Sequence, residues 1–134
     1  MAAPDRDVVR ESLLIEGLMD AISLGEVHTA FMYENDEPKR PLHEAQTLTL
    51  DMVQELVRDG LFILGVPTRK GDFEAWDLPL DVAMSKIGDA YIKNFDDRWG
   101  WTTMVWLFAT DKGENLARKL YHADDPDPSA GSSP

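Results

Sequence analysis

Nine consecutive residues, Trp101-Thr102-Thr103-Met104-Val105-Trp106-Leu107-Phe108-Ala109, carry no charge and place apolar side chains on both alternations. A strand apolar on both faces belongs at the centre of a sheet or beneath two covering layers. The chain must therefore supply partner strands. Leu61-Phe62-Ile63-Leu64-Gly65-Val66 is a short apolar run of the kind that forms a buried strand. Pro67 to Asp72 is rich in turn formers, and Phe73-Glu74-Ala75-Trp76-Asp77 follows it, so the two runs predict a hairpin.

Elsewhere the apolar residues recur at helical spacing. Val9, Leu13, Leu14, Leu18, Ala21 and Ile22 form one stripe, predicting a helix from a cap at Asp5 to about Ser23, with Gly25 as a stop. Val27 to Tyr33 fits a helix or a short strand. Residues 34–41, charged and carrying Pro38 and Pro41, predict a mobile, exposed loop. Leu42, Ala45, Leu48, Met52 and Leu56 predict a helix that Gly60 ends as a left-handed cap. Leu80 to Lys93 predicts another, with Val82, Ala83, Ile87, Ala90 and Tyr91 inward. Thr110 caps the last, which runs to about Tyr121. The expected fold is α+β: one domain over residues 1–122, its helices packed on a small antiparallel sheet, with an extra helix inserted between the second and third strands. Residues 123–134 read as a disordered acidic Pro/Ser tail.

Composition narrows the function. The 134 residues include 25 acids, 13 bases and no cysteine, for a net charge of −12. Without cysteine there is no disulfide framework, thiolate metal site or catalytic thiol. No apolar run reaches the roughly 18 residues of a membrane helix, and the first seven residues lack the apolar segment of a secretory leader. The expectation is a cytoplasmic protein that makes no membrane contact. Most of the excess acid lies in residues 11–60, which hold eleven acids against Lys39, Arg40 and Arg58.

Two segments carry a resemblance. Leu48-Thr49-Leu50-Asp51-Met52-Val53-Gln54-Glu55-Leu56-Val57-Arg58-Asp59-Gly60-Leu61-Phe62 resembles the recognition helix and following strand of winged-helix regulators. Thr110-Asp111-Lys112-Gly113-Glu114-Asn115-Leu116-Ala117-Arg118-Lys119-Leu120 is similar to the segment that closes the wing in many of them. Where a plain wing has only a turn, this chain carries residues 80–93. The resemblance implies a winged-helix-like domain and, with it, DNA binding.

The residues point elsewhere. A helix that meets phosphates and base edges needs Arg, Lys, Asn or Gln. The 44–59 segment instead carries Glu44, Asp51, Glu55 and Asp59 against Arg58 alone. These four carboxylates, together with Trp99 from the aromatic stretch Phe95–Phe108, are the candidate contacts for a protein partner with basic side chains. The same aromatics also suit a homodimer. The expected function is a non-enzymatic acidic interaction module with a regulatory, adaptor or immunity/antitoxin-like role. The alternative is a dimeric DNA-binding regulator using Arg69 and Lys70 at the hairpin tip. Catalysis, metals and cofactors are not expected. His28, His43 and His122 lack ligand spacing and read as surface or capping residues, and no phosphate-cradling glycine motif or nucleophile elbow occurs. A ligand pocket lined by Tyr91, Trp101 and Trp106 is a further alternative, with nothing polar converging on it in sequence.

Overall fold

The doubly apolar stretch does lie at the centre of a sheet, but only its last four residues are strand. The computed structural model describes residues 3–123; the expected tail lies outside the described residues except for Ala123. The elements are α1 (Ala3–Glu16), β1 (Ile22–Ser23), α2 (Leu24–Met32), β2 (Tyr33–Glu34), β3 (Glu37–Pro38), α3 (Leu42–Arg58), β4 (Phe62–Pro67), β5 (Phe73–Ala75), α4 (Leu80–Gly88), a π-helical turn (Asp89–Lys93), α5 (Arg98–Trp101), β6 (Trp106–Ala109) and α6 (Asp111–Ala123). The main sheet has the order β1-β6-β4-β5 and is antiparallel throughout, while β2 and β3 form a separate ribbon. The fold is therefore α+β, and α4 with its π turn is the expected insertion between the hairpin and the last strand.

Strand β6 starts late because the preceding backbone has other partners. Asp97 caps α5 by accepting from the Gly100 amide. The carbonyls of Thr102 and Val105 accept from Gly25 and Leu24 at the start of α2. Trp101 is therefore a buried helical residue whose indole N–H donates to the Phe95 carbonyl at 2.7 Å.

The first helix also ends earlier than its stripe suggests. Past Gly17 the chain turns, and Ile22 and Ser23 pair with Leu107 and Trp106 as an edge strand. Ser23 then caps α2, with its hydroxyl accepting from the Glu26 amide and the Glu26 carboxylate accepting from the Ser23 amide. This reciprocal box satisfies two amides that would otherwise lack partners, and it makes the Val27–Tyr33 region helical as far as Met32. Gly25 is not a stop but lies inside α2, where a Cβ would come within 3.0 Å of Thr102. Asp5 is not a cap: it sits in the first turn of α1 and accepts from Lys39 and Arg40. The expected loop at 34–41 contains a tight hairpin. Asn35 and Asp36 both take positive φ, as a two-residue turn between twisted strands requires, and Arg40 is tucked over the Phe31 ring.

The two segments that carry the winged-helix resemblance interlock. Gly60 has φ +76° and turns the chain out of α3. The Thr110 hydroxyl donates to the Gly60 carbonyl at 2.6 Å and accepts from the Gly113 amide, capping α6. A Cβ on Gly113 would overlap the Leu61 carbonyl oxygen. Gly65 serves the other side of the sheet, since a Cβ there would lie 2.5 Å from the Glu74 carbonyl. Phe73 and Phe108 are paired with β4 residues four positions apart, Pro67 and Ile63, yet their rings stack at 4.1 Å. Gly65 lies between those two β4 positions and has no side chain, which leaves room for the rings to meet.

These glycines separate in their tolerance. Gly113→Ala is expected to lose about 2–3 kcal/mol through overpacking against a backbone carbonyl. Gly88 has φ −61°, and a Cβ there would meet nothing within 4 Å. Gly88→Ala should therefore gain about 0.4–1 kcal/mol. Urea unfolding of the two variants checks both signs.

Candidate functional site

Three places bring together side chains capable of chemistry or recognition. The first is the core of the inserted segment. His28 is only 4% exposed, which corrects its expected place at the surface. Its Nδ1 lies 2.5 Å from the Tyr91 hydroxyl, and Tyr91, Phe95 and Trp101 surround the ring with centroids 5.3–5.5 Å away. Burial, helped by the Arg98 charge, lowers its pKa to about 4. Burial also raises the Tyr91 phenol to about 12, partly offset by a hydrogen bond with Thr49. Thr49 in turn donates to the Ala45 carbonyl. A neutral His–Tyr–Thr contact thus ties α2 and α3 to the π turn. Tyr91 and Trp101 do meet, at 4.6 Å between centroids, and both are fully buried beside His28. Trp106 stands in β6, paired with Gly65 and Ser23. Two of the three residues of the alternative ligand pocket, Tyr91 and Trp101, are therefore core. The His28–Tyr91 contact holds the insertion in place.

The second place is the outer face of α3. Its buried side is Ala45, Gln46, Thr49, Met52, Val53 and Leu56, so at 3.6 residues per turn Glu44, Asp51 and Glu55 share the opposite face. The four carboxylates are not equivalent. Glu44 and Asp51 are exposed and make no ion pair among the described residues. Glu55 accepts from Arg6 and Arg10 of α1, and Asp59 lies 3.4 Å from Arg10. Burial works against ionising Glu55, but the bonds and charges of the two arginines outweigh it and hold its carboxyl below the usual range. Glu55, and more loosely Asp59, therefore also serve a helix–helix clamp between α1 and α3. The signal was present in Arg6 and Arg10, four apart on one face of α1, but their partner lies 45 residues and more away.

The remaining candidates separate in space. Trp99 is 92% exposed, alone among the clustered aromatics, while Phe95 stacks on Trp101 and Phe108 on Phe73. Arg69 and Lys70 sit exposed at the tip of the β4–β5 turn, which Thr68 and Asp72 close through a side-chain hydrogen bond. Among the described residues no three His, Asp or Glu side chains gather as a metal site, and no helix is long and apolar enough to cross a membrane.

The third place was not legible in the sequence. A groove of about 220 Å³ opens between the end of α3, the β4–β5 edge and the start of α4, with walls that include Val57, Ile63, Ala75, Trp76, Leu78 and Leu80. Its lining residues are all apolar. Ile63, Leu78 and nearby Val82 are substantially exposed, and the Lys86 ammonium lies 4.6 Å from the centre of the Trp76 ring. Val57 falls on the flank of α3 away from Glu44 and Asp51, so groove and acidic stripe are separate surfaces of one helix.

Comparison with protein families, curated proteins and solved structures finds no match for this chain.

The buried histidine predicts an acid-sensitive fold. The folded state resists protonation down to about pH 4, whereas the unfolded histidine titrates near 6.5. The unfolded state therefore binds more protons between these values. Stability is full above pH 6.5 and falls by about 3 kcal/mol as pH drops towards 4. Glu55 adds its own loss as pH falls through about 4.5, where its unfolded carboxyl is half protonated. Stability curves of His28→Gln, measured from pH 7 to 5, should be nearly flat where the parent's slopes. Equal slopes would remove His28 as the cause.

Proposed function

We propose that this chain is a non-enzymatic acidic interaction module, winged-helix-like in plan, that binds a protein partner carrying basic side chains. A regulatory, adaptor or immunity/antitoxin-like role fits that chemistry. The observation that carries the reading is the free acidic stripe of Glu44 and Asp51 on the exposed face of α3, where a winged-helix regulator would need cations. Anions on that face repel a duplex and accelerate encounter with a cationic protein surface. Trp99 supplies an exposed aromatic that can bury against a partner.

The bases support the same direction. Arg6, Arg10, Lys39 and Arg40 are held in ion pairs with Glu55, Asp59 and Asp5. Arg98 and Lys86 lie over the Phe95 and Trp76 rings. The DNA-reading alternative rests on Arg69 and Lys70 at the turn tip. Two phosphate contacts would give a salt slope of only about −2 per protomer, too few for a stable complex against a net charge of −12.

Affinity capture with the parent chain and with the Glu44→Lys/Asp51→Lys variant, followed by reconstitution from purified components, tests the reading. The parent should bind an identified protein whose association rate falls about tenfold in the variant at low salt, with melting unchanged. Neither should be retained on duplex DNA at low salt. Tight, steeply salt-dependent duplex binding by the parent would reverse the assignment.

A further inference from the structure

We infer that the apolar groove beside α3 takes one large aliphatic or aromatic side chain from a partner segment that flanks this anchor with Lys or Arg. The inference deepens the protein-binding reading and rests on it. Size argues first. About 220 Å³ lies below the roughly 300–1,000 Å³ of pockets that enclose small-molecule ligands, and suits a single large side chain. Chemistry argues next. The side chains that line the groove are apolar, and burial of an apolar anchor needs only the shape.

Charge then selects the partner. Leu78 and Leu80, which form one wall, stand between Asp77 and Asp81, and Glu74 precedes Ala75 of the other wall; all three acids are exposed. The neighbouring cations are Arg58, next to Val57, and Lys86, already over the Trp76 ring. Groove-forming segments that carry three exposed acids against these two cations complement an anchor with cationic neighbours. They oppose a second copy of a chain with net charge −12. They equally oppose the chain's own C-terminal residues, which carry Asp124, Asp125 and Asp127 and no base. Exposed apolar area rimmed by polar groups is a common mark of an interaction site.

A display library of short peptides tests this directly. One pool carries a Leu, Met or Phe anchor flanked by Lys and Arg, a second the same anchors flanked by Asp and Glu, and a third a Ser in place of the anchor. The basic, anchored pool should be enriched on the parent protein. Peptides from it should bind about tenfold more weakly to Leu78→Ser and to Ala75→Trp, which fills the groove, as expected for loss of a hot-spot contact. Asp77→Lys/Asp81→Lys should erase the preference for basic flanks. Leu78 and Ala75 are both exposed, and a thermal melt of each variant verifies folding. No enrichment, equal enrichment of the acidic pool, or peptides indifferent to all three variants would overturn the inference. A purified partner that depends on Glu44 and Asp51 but ignores the groove variants would remove the groove alone. Duplex binding would remove both readings.

Discussion

The passage of the chain from α3 into the sheet rests on one junction, where the turn after α3 meets the start of α6. Gly60 leaves the helix through positive φ, the Thr110 hydroxyl bridges its carbonyl to the Gly113 amide, and Gly113 lets α6 approach the Leu61 carbonyl more closely than any side chain would allow. A hydroxyl that both donates and accepts satisfies a turn carbonyl and a helix amide together. The junction links the direction of α3 to the edge of β4, and so sets where the acidic stripe and the groove face.

A second constraint holds the insertion. A helix placed between hairpin and last strand must be attached to the body, or it would swing on its loops. Aromatic burial supplies most of the attachment, and the His28–Tyr91–Thr49 contacts give it a single geometry. Buried polar groups stabilise only when paired, and leaving one unpaired costs more than its partner contributed. The pairing specifies how α4 and its π turn lie against α2 and α3, which in turn forms the floor of the groove at Ala83.

Charge is divided between structure and surface. The arginines of α1 neutralise the end of α3, and Lys39 and Arg40 close on Asp5. Partly buried pairs of this kind are screened less than fully exposed ones. What stays outside is mainly anionic, and the free acids of α3 and of the Asp77–Asp81 segment lie on different flanks. A basic partner meeting either flank would be attracted before contact. The apolar groove between β5 and α4 would then supply short-range affinity.

The local rules were legible because they act over a few residues. The stripes of α1 and α3, the Gly60 stop, the Thr110 cap, the strand at 62–66 and the inserted helix all follow from periodicity and capping. Ser23-Leu24-Gly25-Glu26 also had a local signature, a capping box that places the start of α2. Decisions made between distant segments were not legible. Trp101 to Val105 satisfy every rule for a strand, but α5 and the α2 N-terminus take their backbone groups instead. Glu55 looks free until Arg6 and Arg10 arrive from α1. Sequence by itself determined the α+β class, the central strand and the acid excess, since these depend on side-chain type and spacing. Only tertiary structure decided which acids remain free, that His28 is buried, and that a groove exists, because each depends on which distant atoms become neighbours.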